Sequence, residues 1–452
     1  MNLALQIIQT FENQEEHSPT LTVQEGNKRK KKSDKEIIIE KVLTSIEPNE
    51  WLHKKSLLTQ IENHTLYIEP PTDVSESYNF GWYRGLAFKL ETLIRGRWYS
   101  WFNILGSGRL EETDQLPDCR FSMFDGKDEV NKMIENCMNH VYNEGYRVYD
   151  FVDWIGYSLG ISWFKDKPKI SNRLWEKLYD EFDISLLFLH PSDYFSYLLA
   201  EHGQSGVGGY FPTPIGVSTM MNKMLGFDSI NNRTESIYEP CSGPGAMILP
   251  SDSLNLCGTD INPIMVRAAS IQAFCYSPWL LYTPIPIIGL HFSEEEMRIN
   301  KYFEFSTDTR IYCGDSLIGE FTAPRSIFLE NSEHIDVYLN ALDMEKREVF
   351  KYEEIMMTTD WKDLDHETKW NITVAQAREL KFDSVISNPP FGKMNKMTMQ
   401  RIREIEENNK QFLENREKTI NQTHPLVDTI EEEIKQDIEL KLDEKTGQFQ
   451  LY

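Results

Sequence analysis

Downstream of residue 235 the chain alternates short apolar runs with helical segments, and each run ends in an acid, an amide or a glycine. Ser236-Ile237-Tyr238 leads into Glu239-Pro240-Cys241-Ser242-Gly243-Pro244-Gly245-Ala246. Leu256 to Thr259 leads into Asp260, and Thr309 to Cys313 leads into Gly314-Asp315. Asp383 to Ser387 delivers Asn388-Pro389-Pro390-Phe391. Pro263 to Tyr276, Ile215 to Leu225 and Ser192 to His202 have the spacing of helices. Strands alternating with helices predict a parallel, doubly wound α/β sheet. Such sheets bind ligands outside the carboxyl ends of their strands, where all of these polar residues fall.

Asn388-Pro389-Pro390-Phe391 suits the capture of a planar amino group. The Asn388 side-chain oxygen and the Pro389 carbonyl both accept hydrogen bonds, and the prolines stiffen the backbone that carries them. The Phe391 ring offers a face on which a flat base or amide stacks. The plainer alternative is a proline-stiffened turn after a buried strand. The glycine turn lets a ligand approach the backbone, but its spacing is not that of a pyrophosphate cradle. Glu239, just before the glycines, would repel phosphate and attract a cation. S-adenosylmethionine, with its sulfonium and ammonium groups, meets that condition. Asp260 stands where an acid commonly accepts hydrogen bonds from ribose hydroxyls, or where it caps the next helix. Asp315 is placed either to accept from an adenine amino group or to close a turn after Gly314.

Composition narrows the class. The chain has 452 residues, 40% apolar and 12% aromatic, enough for more than one domain with a large core. Six cysteines without CxxC spacing read as reduced thiols, and no nearby base marks Cys241 as a nucleophile. The start, Met1 to Gln6, lacks a basic region followed by a long apolar run, and the apolar stretch from Trp279 to Leu290 is short and broken by Pro284 and Pro286, so a cytoplasmic protein without a membrane span is expected. The formal charge of −24 argues against tight non-specific binding to nucleic acid unless a basic face or a partner supplies local positive potential. No metal cluster is expected.

Taken together, these strand ends resemble the N6-adenine DNA methyltransferases, in particular the modification subunits of type I restriction systems and their relatives. The resemblance covers about residues 190–395. It includes an upstream Phe-x-Thr-Pro-like element, matched by Tyr210-Phe211-Pro212-Thr213-Pro214 with one extra proline. It implies a Rossmann-like, S-adenosylmethionine-dependent methyltransferase sheet that transfers a methyl group to the N6 of a flipped adenine in double-stranded DNA. It further implies that Phe211, Thr213 and Pro214 pack on the cofactor, with Thr213 reaching its carboxylate. Glu239, Gly243 and Gly245 would form the cofactor turn, Asp260 would hold the ribose and Asp315 the adenine. Asn388, Pro389, Pro390 and Phe391 would be the catalytic set.

The expected organisation is a weakly ordered tail over 1–35, carrying the basic run Lys28 to Lys32, then a mainly helical, aromatic-rich accessory domain over 36–190. A methyltransferase domain over 191–396 follows, with an insertion at about 320–378, and then a charged helical segment over 397–452. A full methyltransferase sheet has further strands after the catalytic motif. The expectation is therefore a split enzyme whose sheet and target recognition a second polypeptide completes. Two other classes stay open: a methyltransferase acting on RNA guanine or protein glutamine, and a non-catalytic cofactor-binding subunit.

Overall fold

The computed structural model describes residues 2–14, 34–62, 67–106, 116–122, 127–202, 210, 212–226, 236–251, 253–281, 283–286, 303–306, 310–314, 316, 384–388, 441–442 and 449–450. The basic run, the 320–378 insertion and the charged stretch from 397 to 421 lie outside these residues.

Among the described residues, four parallel strands form the central sheet: β1 (Ser236–Glu239), β2 (Asn255–Asp260), β5 (Ile311–Cys313) and β6 (Ser384–Val385). Their spatial order is β5-β2-β1-β6. The chain steps outward from β1 through β2 to β5, then returns to the other side of β1 with β6. The direction of travel reverses between β1 and β6, and a reversal of this kind opens a crevice at the strand tips. Ile237, Leu256, Ile311 and Ile386 are buried in the core beneath it.

The segment Thr283–Pro286 (β3) pairs antiparallel with Phe303–Ser306 (β4), outside the parallel sheet. The sequence reading saw only an apolar stretch there, because Pro284 and Pro286 weaken a strand pattern. Proline is tolerated on a two-stranded ribbon, where an unpaired edge needs no N–H donor. Lys441–Leu442 (β7) and Phe449–Gln450 (β8) form a second antiparallel pair. The charged helical segment expected over 397–452 is therefore corrected at these four residues, which are strand. The polar, glycine-containing stretch between Leu442 and Phe449 favours a turn over helix continuation.

Helices build the rest. The tail expected over 1–35 is corrected at its start: Asn2–Asn13 is helix α1, with Leu3, Ala4, Ile7, Ile8 and Phe11 buried. These positions recur at helical spacing, a signal that the nearby polar and basic stretch masked. The Ala4 amide donates to Asp183 Oδ2 at 3.0 Å, so one carboxylate anchors the start of α1. Helix α4 (Arg84–Ile94) is buried along nearly its whole length. Its Glu91 accepts from the Arg97 and Trp98 amides at 2.7 and 3.2 Å and caps helix α5 (Arg97–Gly106). Trp98, Trp101, Trp154 and Trp175 are buried in the core of this aromatic-rich region, and Trp163 packs against it half-buried.

Helix α12 (Pro263–Tyr276) follows β2 and joins the two parts. The sequence suggested an amphipathic helix, but α12 is buried on nearly every side. It lies between the sheet and the amino-terminal helices, and Ala268, Ala269 and Ala273 let both approach closely. Arg267 reaches Asp153 of helix α7 (Val148–Leu159) at 2.8 Å. Arg97 Nε donates to the Tyr276 carbonyl at 3.1 Å, and Trp98 Nε1 to the Phe274 carbonyl at 2.9 Å. These donors satisfy carbonyls that the last turn of α12 leaves unpaired, and the Arg97 charge complements its dipole.

Candidate active site

The turn after β1 is shaped by its glycines. Gly243 has φ +51° and Gly245 φ +95°, both left-handed. A Cβ on Gly243 would stand 2.9 Å from the Tyr210 ring, so the close packing of Tyr210 also requires glycine. The sequence suggested a strand-to-helix turn. Residues 240–250 instead form successive turns, with the Ile248 and Leu249 amides donating to the Gly245 carbonyl. A left-handed Gly245 and then Pro250 leave too little chain for a regular helix.

Neighbouring strand tips hold this turn in place. The Ser242 amide donates to the Thr259 carbonyl at 2.9 Å. Asp260, the last residue of β2, accepts from the Gly243 amide at 2.9 Å and from the Asn262 amide at 2.8 Å. Helix α12 itself is capped by Asn262, whose side chain accepts from the Ile264 amide at 3.2 Å. Asp260 is therefore a brace for the glycine turn rather than that cap.

Glu239 ends β1 and is buried, and its Oε2 has no hydrogen-bond partner among the described residues. Burial pushes its carboxyl well above the usual range, and the nearby Asp260 and Asp193 carboxylates push it further. Asp193 was not singled out from the sequence. It lies just before helix α10 (Tyr194–His202), buried, with Oδ1 accepting from the Ser196 amide at 3.1 Å and from Gln272 Nε2 at 2.8 Å. Its Oδ2 has no hydrogen-bond partner among the described residues. Gln272, on α12, also donates to the Pro244 carbonyl at 2.8 Å, linking Asp193 to the glycine turn. Burial raises Asp193 and Asp260 as well, opposed in Asp260 by its two backbone N–H donors. Only the helix start at Ser192-Asp193, with Ser196 three residues after Asp193, gives any sequence signal for this residue, and it reads as an ordinary cap.

Cys241 sits between these groups. Burial, then the Asp260 and Glu239 charges, lift its thiol to about 11. A thiol raised in this way is a poor nucleophile at neutral pH.

Asn388 comes off the neighbouring strand. β6 pairs with β1 in the register Ile237↔Ser384 and Tyr238↔Val385, and the Ile386 amide donates to the Tyr238 carbonyl at 3.0 Å. Ser387 and Asn388 therefore emerge beside Glu239, at the reversal of strand order. Asn388 Nδ2 donates to Thr213 Oγ1 at 2.7 Å. Thr213 and Asn388 line a cavity of about 580 Å³ together with Pro214, Val217, Met247 and Ser387. Its volume suits a planar heterocycle, and its walls are largely apolar with a few polar groups converging. The structure thus brings Thr213, Pro214, Glu239, Gly243, Gly245, Asp260 and Asn388 to one end of the sheet. Phe211, Asp315, Pro389, Pro390 and Phe391 lie outside the described residues.

Residues 254–436 match the family model described as Eco57I restriction-modification methylase. The match supports a restriction-modification methylase. No curated protein and no solved structure matches the chain. The matched methylase region holds Asp260, α12, β5, β6 and Asn388, while the 210–214 element and the glycine turn stand upstream of it. The small parallel sheet surrounded by helices agrees with an α/β methylase. Among the described residues no helix is long and apolar enough to cross a membrane.

Proposed function

We propose that the chain is an S-adenosylmethionine-dependent DNA methyltransferase acting on the N6 of adenine, with a Rossmann-like sheet. The observation that carries this reading is the position of Asn388, beside Glu239 and the glycine turn at the reversal of strand order. The methylase match supports the reaction class.

The residues present fit the cofactor. A buried Glu239 with an unpaired oxygen suits a group that is cationic and donates hydrogen bonds. Asp193 adds a second unpaired carboxylate oxygen. Asp260 spends one lone pair of each oxygen on a backbone amide, which leaves lone pairs to accept from ribose hydroxyls. Gly243 and Gly245 supply the left-handed bends of the turn, and Phe211, Pro214 and Asp315 are the further residues proposed for the cofactor. When bound, S-adenosylmethionine supplies an electrophilic methyl group.

The chain's own residues then prepare the acceptor. The lone pair of adenine N6 is delocalised into the ring, so the amine is a weak nucleophile. Asn388 Oδ1 and the Pro389 carbonyl accept hydrogen bonds from its two N–H groups and favour a tetrahedral nitrogen whose lone pair faces the methyl group; one of those hydrogens then leaves as a proton to solvent, which returns the methylated amine to neutral. Positive charge grows on N6 during attack, so these acceptors hold the transition state more tightly than the ground state. The nitrogen must lie within about 3–3.5 Å of the methyl carbon, which a base stacked in a duplex cannot do. The adenine therefore flips out, and stacking on Phe391 offsets part of that cost. Double-stranded DNA is the proposed partner. Among the described residues β6 pairs only with β1, so its other edge is the side on which a second polypeptide would add strands.

The expected outcome is that Asn388→Ala abolishes methyl transfer to duplex DNA while cofactor affinity in a calorimetric titration stays within about threefold. Parallel loss of both would show that Asn388 serves the cofactor instead. Assays with DNA, RNA and protein side by side separate adenine from other planar nitrogens. Cofactor binding without transfer to any of them would point to a non-catalytic subunit.

A further inference from the structure

From the bond between Thr213 and Asn388 we infer that Thr213 is a positioning residue: it accepts from Nδ2 of Asn388 and so holds Oδ1 toward the methyl-accepting amine. This inference rests on the methyltransferase reading above. It gives Thr213 a different task from the one the family resemblance implies, contact with the cofactor carboxylate.

The need arises from the chemistry of an amide. Rotating the Asn388 amide by half a turn exchanges an acceptor for a group with two donors at almost the same shape. An amine substrate offers only hydrogens to the site, so the reversed amide would set donor against donor. The backbone does not choose between the two, because Asn388 lies beyond Val385, the last paired residue of β6. A hydroxyl can donate or accept, so Thr213 does not by itself exclude the reversed amide; once the substrate amine has claimed Oδ1, the Thr213 hydroxyl accepts from Nδ2 and holds that orientation. That hydroxyl lies 2.7 Å from Nδ2, a short bond across 175 residues of sequence.

Thr213 is well supported for this work. It stands between Pro212 and Pro214, which restrict the backbone on both sides. Pro214 (φ −56°, ψ 130°) is the cap residue of helix α11 (Ile215–Met224), and its carbonyl accepts from the Val217 amide at 2.8 Å. Asn222, on the same helix, donates to the Met247 carbonyl at 2.7 Å, tying α11 to the opposite wall of the cavity. Nearby, Tyr210 packs on Gly243. The 210–214 element therefore touches the glycine turn with Tyr210 and the amide with Thr213.

The test compares Thr213→Val and Thr213→Ser in the full chain, using radiolabelled S-adenosylmethionine and unmethylated duplex DNA. Valine keeps the shape and removes the hydroxyl; serine keeps the hydroxyl. Thr213→Val is expected to lower kcat by roughly 10- to 100-fold, less than the 10²–10³ lost when a group contacting the reacting atoms is removed. The KM for DNA and the calorimetric Kd for S-adenosylmethionine should stay within about twofold, and Thr213→Ser should recover most of kcat. A Thr213→Val enzyme with unchanged kcat overturns the inference. So does one whose cofactor affinity falls in step with its rate, which would return Thr213 to the cofactor carboxylate. A wild-type chain that transfers no methyl to DNA, RNA or protein overturns the methyltransferase reading itself, and this inference with it.

Discussion

A buried carboxylate with an oxygen that no donor meets is costly to keep ionised, and Glu239 is such a group. Its raised proton affinity means that a cationic ligand must compete with a proton for the same site. Binding then releases that proton, so S-adenosylmethionine affinity should increase with pH until Glu239 ionises in the free protein. Calorimetry in buffers of different ionisation enthalpy would detect the release. Glu239→Gln should weaken binding by about 2 kcal/mol or more, roughly 30-fold, and flatten the pH dependence. Asp193→Asn should weaken binding in the same direction, because it removes the second unpaired acid near the turn. If Asp193→Asn instead leaves affinity untouched, Asp193 serves only to hold Gln272 and the start of α10.

Among the elements, α12 carries the most dependence. Arg97→Ala would strip the Tyr276 and Pro117 carbonyls of a charged donor and expose the end of α12. A loss on the order of 3 kcal/mol is expected in urea unfolding, and lysine should not restore it, since one ammonium cannot reproduce the guanidinium fork. Helix α4 is comparably intolerant: a Cβ on Gly85 would meet the Ile68 carbonyl oxygen, so Gly85→Ala should cost about 3 kcal/mol or more. The four parallel strands and α12 were legible in the sequence, because each apolar run is bounded by a turn residue and has one period. Helix α1 was not, because its short run sits beside a long polar stretch. The β3–β4 ribbon was hidden by its prolines. At the site, Glu239, Gly243, Asp260 and Asn388 were readable as strand-end residues. The Thr213–Asn388 bond and the role of Asp193 were not, since both depend on contacts between segments far apart in the chain.

For the whole molecule, buried acids and a net charge of −24 act in the same direction. Burial lifts Glu91 from 4.5 to about 7, opposed by the Arg97 and Trp98 amides. A carboxyl whose folded affinity for protons exceeds its unfolded one contributes stability that is complete below about pH 4.5 and is lost as pH rises through about 7. Relief of self-repulsion at lower pH adds to this. The ligand-free protein should therefore melt at a higher temperature at pH 6 than at pH 8, and Glu91→Gln should reduce that difference. A melting temperature that climbs over the same interval would contradict the account. The grip of Arg97 and Trp98 on the end of α12 also bears on genetics. A selection for inactive alleles would recover changes at these two positions as well as at Asn388. Growth temperature would sort them: alleles that only loosen the grip regain function in the cold, and those that remove the amide stay silent at every temperature.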